Sequence, residues 1–388
     1  MAYCDHNSTS PLRPQCRDAV IHALGIGGNP SSVHANGRAA RAIVEQAREA
    51  VAKLAGAKPD EVIFTSGATE SNDLAIRGAV LGAIDQSEKT SERITRLFVS
   101  AIEHSSALKT AQSVAERIPG VRLELLPVTG DGVLDLEALR VGLREGKGRA
   151  LVAAMAANNE TGVIQPVAEI SRLARDAGAL LLVDAVTAAG KIDLDASLCD
   201  YMTLSGHKLA GPQGAGALIA RAGAPLAPML VGGGQQKGLR AGTENLSGIA
   251  GFGAAAKAVL DDGAERTRIA AIRDHFEAAL KAALPKAVIF GANAPRLCNT
   301  SSVAVPGLVS ENLVIALDLD GVQVSSGSSC SSGKMSVSHV LHAMGASDDL
   351  AGGSVRVSFG WNSTQADADA VVTSLVRLYE RVRARAAA

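Results

Sequence analysis

The run Ala179-Leu180-Leu181-Leu182-Val183 constrains the fold more than any other stretch: five apolar residues in succession, without alternation, closed by Asp184. A strand with no polar face is covered on both sides, as in a parallel sheet sandwiched by helices. Similar short runs are predicted as strands at Leu97–Ser100, Ala150–Ala154, Tyr201–Leu204 and Ala215–Ile219, several of them separated by helix-length segments such as Val167–Ala177. That alternation predicts an α/β chain with a mainly parallel sheet and puts its chemistry at the carboxyl ends of the strands.

A chain of 388 residues exceeds what one hydrophobic core usually holds, so two unequal domains are expected. With 47% hydrophobic but only 3% aromatic residues, their interiors must be built from Ala, Val, Leu and Ile. Ile43, Ala47, Val51 and Leu54 recur at helical spacing until Gly56 and Pro59, and Glu61–Phe64 then reads as a strand running into a tight turn and a helix. After Gly263 the texture changes to a charged helix over Ala264–Ala283 and strands at Ser301–Val305, Gly321–Ser325 and Ser354–Phe359. The expected division is a large sheet domain over residues 15–262 and a smaller α+β domain from residues 1–14 with 263–388.

Lys plus Arg number 38 against 39 for Asp plus Glu, with no long run of one sign, which excludes a nucleic-acid or anionic-lipid surface as the expectation. The start Met1-Ala2-Tyr3-Cys4-Asp5-His6 lacks a secretory signal, and no apolar run approaches the ~20 residues of a membrane span. The chain is expected to be cytoplasmic. Cys4, Cys16, Cys199, Cys298 and Cys330 are odd in number and widely spaced, so neither a disulfide framework nor a zinc site is indicated.

Asp184 ends a buried strand, and roughly one strand later comes Ser205-Gly206-His207-Lys208-Leu209-Ala210-Gly211, a lysine among small residues. An acid and a lysine at neighbouring strand ends suggest a pyridoxal-phosphate site, with the lysine as the Schiff-base residue and the acid keeping the pyridine nitrogen protonated. The phosphate needs donors, and Gly67-Ala68-Thr69 at a helix start offers backbone N–H groups, a hydroxyl and the helix dipole.

These segments, with Thr65-Ser66-Gly67-Ala68-Thr69-Glu70-Ser71-Asn72, Glu103-His104, Asn158-Asn159-Glu160-Thr161-Gly162, Arg240-Ala241-Gly242-Thr243-Glu244-Asn245, Ser325-Ser326-Gly327-Ser328-Ser329-Cys330-Ser331 and Arg356, resemble the NifS/IscS-type cysteine desulfurases nearly end to end. The resemblance implies a fold-type-I pyridoxal-phosphate transferase of the class V aminotransferase family. It implies Lys208 as the attachment lysine, Asp184 as the ring-nitrogen partner and His104 as a catalytic histidine stacked over the ring that can also move protons during the reaction. Ala68, Thr69, Ser205 and His207 fall to the phosphate, and Thr243 reaches it from the neighbouring subunit of a homodimer. Asn159 lies near the cofactor's ring oxygen and the substrate carboxylate, and Arg356 pairs with that carboxylate.

Cys330 sits among Ser and Gly with almost no apolar neighbours, unlike a packed core cysteine. The resemblance makes it the nucleophile that takes sulfur from L-cysteine as a persulfide, leaving L-alanine, and distinguishes the chain from an aminotransferase or a selenocysteine lyase. It also makes Cys330 a candidate transient iron–sulfur ligand and implies a sulfur-acceptor or iron–sulfur scaffold partner. Three features depart from the family: Thr187 stands where a glutamine is usual, Gln236-Lys237 where Glu-Arg is commoner, and the chain ends at Arg383–Ala388 without a long tail. The last favours a NifS-like or other specialised member.

Overall fold

The computed structural model describes residues 1–86, 92–308, 310–326 and 337–387. After a short β1 (Ala2–Tyr3) come α1 (Pro14–Ile26), α2 (Ala35–Ala55), β2 (Val62–Thr65), α3 (Ala68–Gln86), β3 (Ile94–Ser100), α4 (Ser105–Arg117), β4 (Arg122–Leu126) and α5 (Leu136–Arg144). The chain continues through β5 (Arg149–Met155), α6 (Val167–Asp176), β6 (Leu180–Asp184), β7 (Tyr201–Ser205), β8 (Gly216–Ala220) and α7 (Leu246–Asp261). Strands β2 to β8 form one seven-stranded sheet in the order β2-β8-β7-β6-β5-β3-β4. Only β8 in it opposes its neighbours, pairing antiparallel with β2 and β7, while β7, β6, β5, β3 and β4 pair in parallel.

Every residue of β6 is buried, as its unbroken apolar run requires. One face of the sheet packs on α2 and α7 through Val44, Val51 and Phe252, and the other on α3 and α4 through Leu74, Val80 and Val114. Each fully buried aliphatic side chain of these layers contributes roughly 1.5–3 kcal/mol. The edge strand β4 escaped the sequence reading because Arg122 and Glu124 give it little apolar character, and it is largely exposed.

The remaining elements are α8 (Glu265–Ala283), β9 (Val288–Ile289), β10 (Thr300–Ala304), α9 (Ser310–Leu319), β11 (Val322–Gln323), β12 (Ser325–Ser326), α10 (His339–Ala343), α11 (Asp348–Gly352), β13 (Ser354–Ser358) and α12 (Gln365–Ala387). They build a four-stranded sheet, β12-β13-β10-β9, whose core gathers Phe276, Leu317, Val357, Phe359 and Leu375 with Cys4 of the N-terminal segment. The strand expected at Gly321–Ser325 is split: β11 pairs in parallel with β1, whereas β12 pairs antiparallel with β13. No helix among the described residues is long and apolar enough to cross a membrane.

Candidate active site

Asp184 closes β6 in register with Met155 of β5 and Thr203 of β7, at the carboxyl ends of three parallel strands. It is only 5% exposed, yet its carboxylate is held from two sides: Val186 N–H donates to Oδ1 at 3.0 Å and Asn72 Nδ2 to Oδ2 at 2.9 Å. Glu103 lies within electrostatic reach. Burial, and then the charge of Asp184, push its carboxyl well above the usual carboxylate range, while its Oε1 accepts the Met155 N–H at 2.5 Å.

Lys208 sits in a single 3₁₀ turn, Gly206–Leu209, directly after β7. The turn exits through Ala210 at φ 63°, a left-handed conformation that costs a non-glycine residue about 1 kcal/mol or more. Two backbone bonds hold it there, Gly211 N–H to Gly206 O at 3.0 Å and Arg13 N–H to Ala210 O at 2.9 Å. The Lys208 ammonium donates to the carbonyls of Asn7 and Ser8, the latter at 2.9 Å. The N-terminal segment thus forms part of the wall beside the lysine.

Opposite lies the cradle expected for an anion. β2 runs through Gly67 into α3, whose first-turn N–H groups at Ala68 and Thr69 face the cavity without helical partners. Gly216 of β8 allows this turn to close in, since a Cβ there would lie 2.6 Å from Gly67 Cα. Glu70 clamps it from outside, accepting Ser66 N–H at 2.8 Å and pairing with Arg240 at 2.9 Å. Burial raises the Glu70 carboxyl, but these partners outweigh it and hold the group below its ordinary range. His207, pulled down to about 4 by burial and by the charge of Lys208, is neutral at pH 7 and contacts Thr9 Oγ1 through Nδ1 at 3.2 Å.

The remaining wall comes from β13. Arg356, 2% exposed, donates through Nη2 to Asp5 Oδ1 at 2.8 Å and through Nη1 to the carbonyl of Asn159 at 3.1 Å. Its Nε–H is buried with no hydrogen-bond partner. Asn7 braces this corner, donating through Nδ2 to Asn159 O at 3.1 Å and to Thr300 Oγ1 at 2.8 Å and accepting from Asn299 Nδ2 at 2.9 Å.

One cavity of about 550 Å³ brings together Ala68, Thr69, His104, Asn159, Asp184, Thr187, Ser205, His207, Lys208 and Arg356. Thr187 is buried on its wall, its carbonyl accepting from Lys191 Nζ at 2.8 Å. Thr243 does not line this cavity and is exposed on the segment before α7, and Cys330 lies outside the described residues. Sequence reasoning missed Asp5, Asn7, Ser8 and Thr9, which reach the site across most of the chain. It also passed over Ser106, whose hydroxyl sits beside the His104 ring at 2.8 Å.

The residues fit pyridoxal phosphate on their own chemistry. A buried carboxylate, a lysine and a helix N-terminus converge on one cavity, and the Arg356 guanidinium lines its other end. Residues 2–371 match the family model for class-V aminotransferases. A cysteine desulfurase of Cereibacter sphaeroides is 42% identical over 98% of this chain and 96% of its own length. The solved NifS-like protein of Rickettsia africae superposes with a TM-score of 0.87 at 32% identity, covering 98% of this chain and 99% of that one. SspA, solved in complex with cysteine, superposes with a TM-score of 0.80 at 27% identity over 94% of this chain and all of that one. The chain therefore belongs to the class-V aminotransferases, enzymes that depend on pyridoxal phosphate. Within that family it falls in the cysteine desulfurase branch, of the NifS/IscS type.

Proposed function

We propose that this enzyme removes sulfur from L-cysteine, giving L-alanine and a persulfide on Cys330, and that it does so with Lys208 carrying pyridoxal phosphate. The observation that carries the reading is the convergence of Asp184, Lys208 and the α3 N-terminus on one side of a cavity closed by Arg356 on the other. The cysteine in complex with SspA supports the same substrate here.

When bound, the cofactor supplies a sink for the electron pair released at the substrate α-carbon. Asp184, fixed by Asn72 and Val186, holds a proton on the ring nitrogen. Ala68 and Thr69 N–H groups, Ser205 and His207 bind the phosphate, with Thr243 joining them from a second subunit in a homodimer. Neutral His207 offers a hydrogen bond rather than a charge. Arg356 would take the substrate carboxylate with Asn159 beside it, and Thr187, at the position where a glutamine is usual, would help to hold the cofactor. Lys208 Nζ takes the α-proton.

Cys330 thiolate then forms an S–S bond to the substrate sulfur as the Cβ–S bond breaks. The electron pair stays with carbon, and protonation there gives alanine. Among the five cysteines, the four described ones are unsuited to this step. Burial pushes Cys4 and Cys199 up to about 12, Cys16 to about 11, and Cys298 above its ordinary value, so all four persist as thiols. The persulfide supplies a sulfur acceptor such as an iron–sulfur scaffold protein, and Cys330 is the residue where a transient cluster ligand would lie.

Cys330→Ser tests the reading: it is expected to keep the bound cofactor's visible absorption while sulfide and alanine release from L-cysteine with a thiol reductant falls by about 10³-fold or more. Full sulfide release by that variant would refute the persulfide route. Loss of the visible band in Lys208→Ala separates an enzyme from a cofactor-free scaffold.

A further inference from the structure

Asn72 lies one turn beyond Thr69 on α3 and is fully buried. Its Nδ2 donates both to Asp184 Oδ2 at 2.9 Å and to Ser106 Oγ at 2.9 Å. Chemistry fixes this orientation: an ionised carboxylate only accepts, so the amide nitrogen, not the oxygen, must face Asp184. Ser106 Oγ accepts from Asn72 and so turns its own hydrogen toward His104 Nδ1, 2.8 Å away. The Ser106 backbone N–H points at the same nitrogen from 3.1 Å. A backbone N–H can only donate, so Nδ1 is an acceptor and the neutral ring carries its proton on Nε2. The Asn72 Oδ1, by contrast, is buried without a hydrogen-bond partner. An apolar residue would fill the space without that penalty, so the amide is retained for what its nitrogen does.

We propose that Asn72 is a positioning residue whose single amide nitrogen, set between Asp184 and Ser106, fixes the rotation of the Asp184 carboxylate and, by holding the Ser106 hydroxyl, adds a second donor to His104 Nδ1, whose tautomer the Ser106 backbone N–H already sets. The inference rests on the role proposed above for Asp184 and on the resemblance's placing of His104 over the cofactor ring as a proton carrier. It adds that His104 presents a donor from Nε2 and cannot accept a proton there without first giving one up. The two residues that meet the cofactor ring are thereby coupled through one side chain.

The test uses the holoenzyme with Ser106→Ala, Asn72→Ala and the isosteric Asn72→Asp. Ser106→Ala cuts only the His104 branch. It is expected to lower kcat about tenfold with KM for L-cysteine within about threefold, and to leave the pH titration of the bound cofactor's absorbance unmoved. Both Asn72 variants cut the Asp184 branch as well, so kcat falls at least as far and the absorbance titration shifts. The shift is larger for Asn72→Asp, which sets a second carboxyl against Asp184. Nitrogen-15 spectra of the histidine-labelled holoenzyme, taken without substrate, are expected to show the His104 proton on Nε2 in both the wild type and Ser106→Ala, whose backbone N–H remains, with the Nδ1 resonance shifted in the variant by loss of the hydroxyl donor. An unmoved titration in both Asn72 variants, or one that Ser106→Ala moves equally, overturns the proposal, as does an Nδ1–H ring in the wild type. Because absorbance and tautomer are read without turnover, they stand even if L-cysteine is not the substrate.

Discussion

The two walls of the cavity are assembled in different ways. The wall assigned to the cofactor consists of residues at the ends of adjacent strands of one sheet, Asp184 after β6 and Ser205 after β7, with Met155 of β5 between them and His104. The wall assigned to the substrate is stitched from four distant segments: Asp5 to Arg356, Asn7 to Thr300, Asn7 to Asn159, and Arg356 to Asn159. The first is as rigid as the sheet core beneath it. The second exists only when the N-terminal segment is laid between the large sheet and the four-stranded one. Cofactor binding and substrate recognition are therefore separable by mutation.

Arg356→Ala gives the strongest test of that separation. It removes the carboxylate's partner and strands the Asp5 charge at 18% side-chain exposure. Breaking a largely buried pair costs about 3–5 kcal/mol of folding stability, and loss of the charge-assisted contact to the substrate carboxylate is separately expected to lower kcat/KM for L-cysteine by about 10²–10³-fold, mainly through KM. The cofactor's absorption should survive, since Asp184 is held by Val186 and Asn72 rather than by Arg356. Loss of the cofactor in this variant would show that the walls are one unit.

Asn7→Ala attacks the stitching without touching a charge. It forfeits the bonds to Asn159, Thr300 and Asn299 and leaves buried groups unsatisfied, for an expected loss of about 2–3 kcal/mol in denaturant unfolding. KM for L-cysteine should rise with it, because the Asn159 carbonyl also positions Arg356. A stable variant with unchanged KM would move the bracing role elsewhere.

The same contrast explains what the sequence discloses. Strand-end residues announce themselves: the apolar run before Asp184 and the one before Ser205 are local signals, and both residues stand where those runs predict. Asp5 and Asn7 carry no local signal, for their partners lie 351 and 293 residues away. Gln236, whose replacement of the commoner glutamate had no explanation in sequence, is intelligible in three dimensions. Its Oε1 accepts from Phe64 N–H at 2.9 Å and Arg48 at 3.2 Å, while its Nε2 donates to Glu244 at 3.2 Å. A glutamate could not donate to Glu244, so the amide suits this neighbour. Thr243 lies on the exposed segment before α7, outside the cavity.

The last effect is confined to a pH window and is expected at Glu160, beside Asn159. Its Oε2 accepts from Ser338 Oγ at 2.5 Å, and burial pushes its carboxyl up to about 7, against the opposing pull of Ser338, Arg356 and His104. Because the folded value is raised from the ordinary 4.5, the folded state retains a proton that the unfolded chain has released. The group's contribution is fully present below that ordinary value, and it is lost as pH rises toward 7. Glu160→Gln keeps an acceptor for Ser338 but has no proton to lose. Its stability relative to wild type should therefore improve between these pH values by up to about 3 kcal/mol and stay level above them, as read by urea unfolding at stepped pH. A difference that is flat across the range would mean that Glu160 is ionised in the folded protein, paired with Arg356 and part of the charged wall rather than its neutral brace.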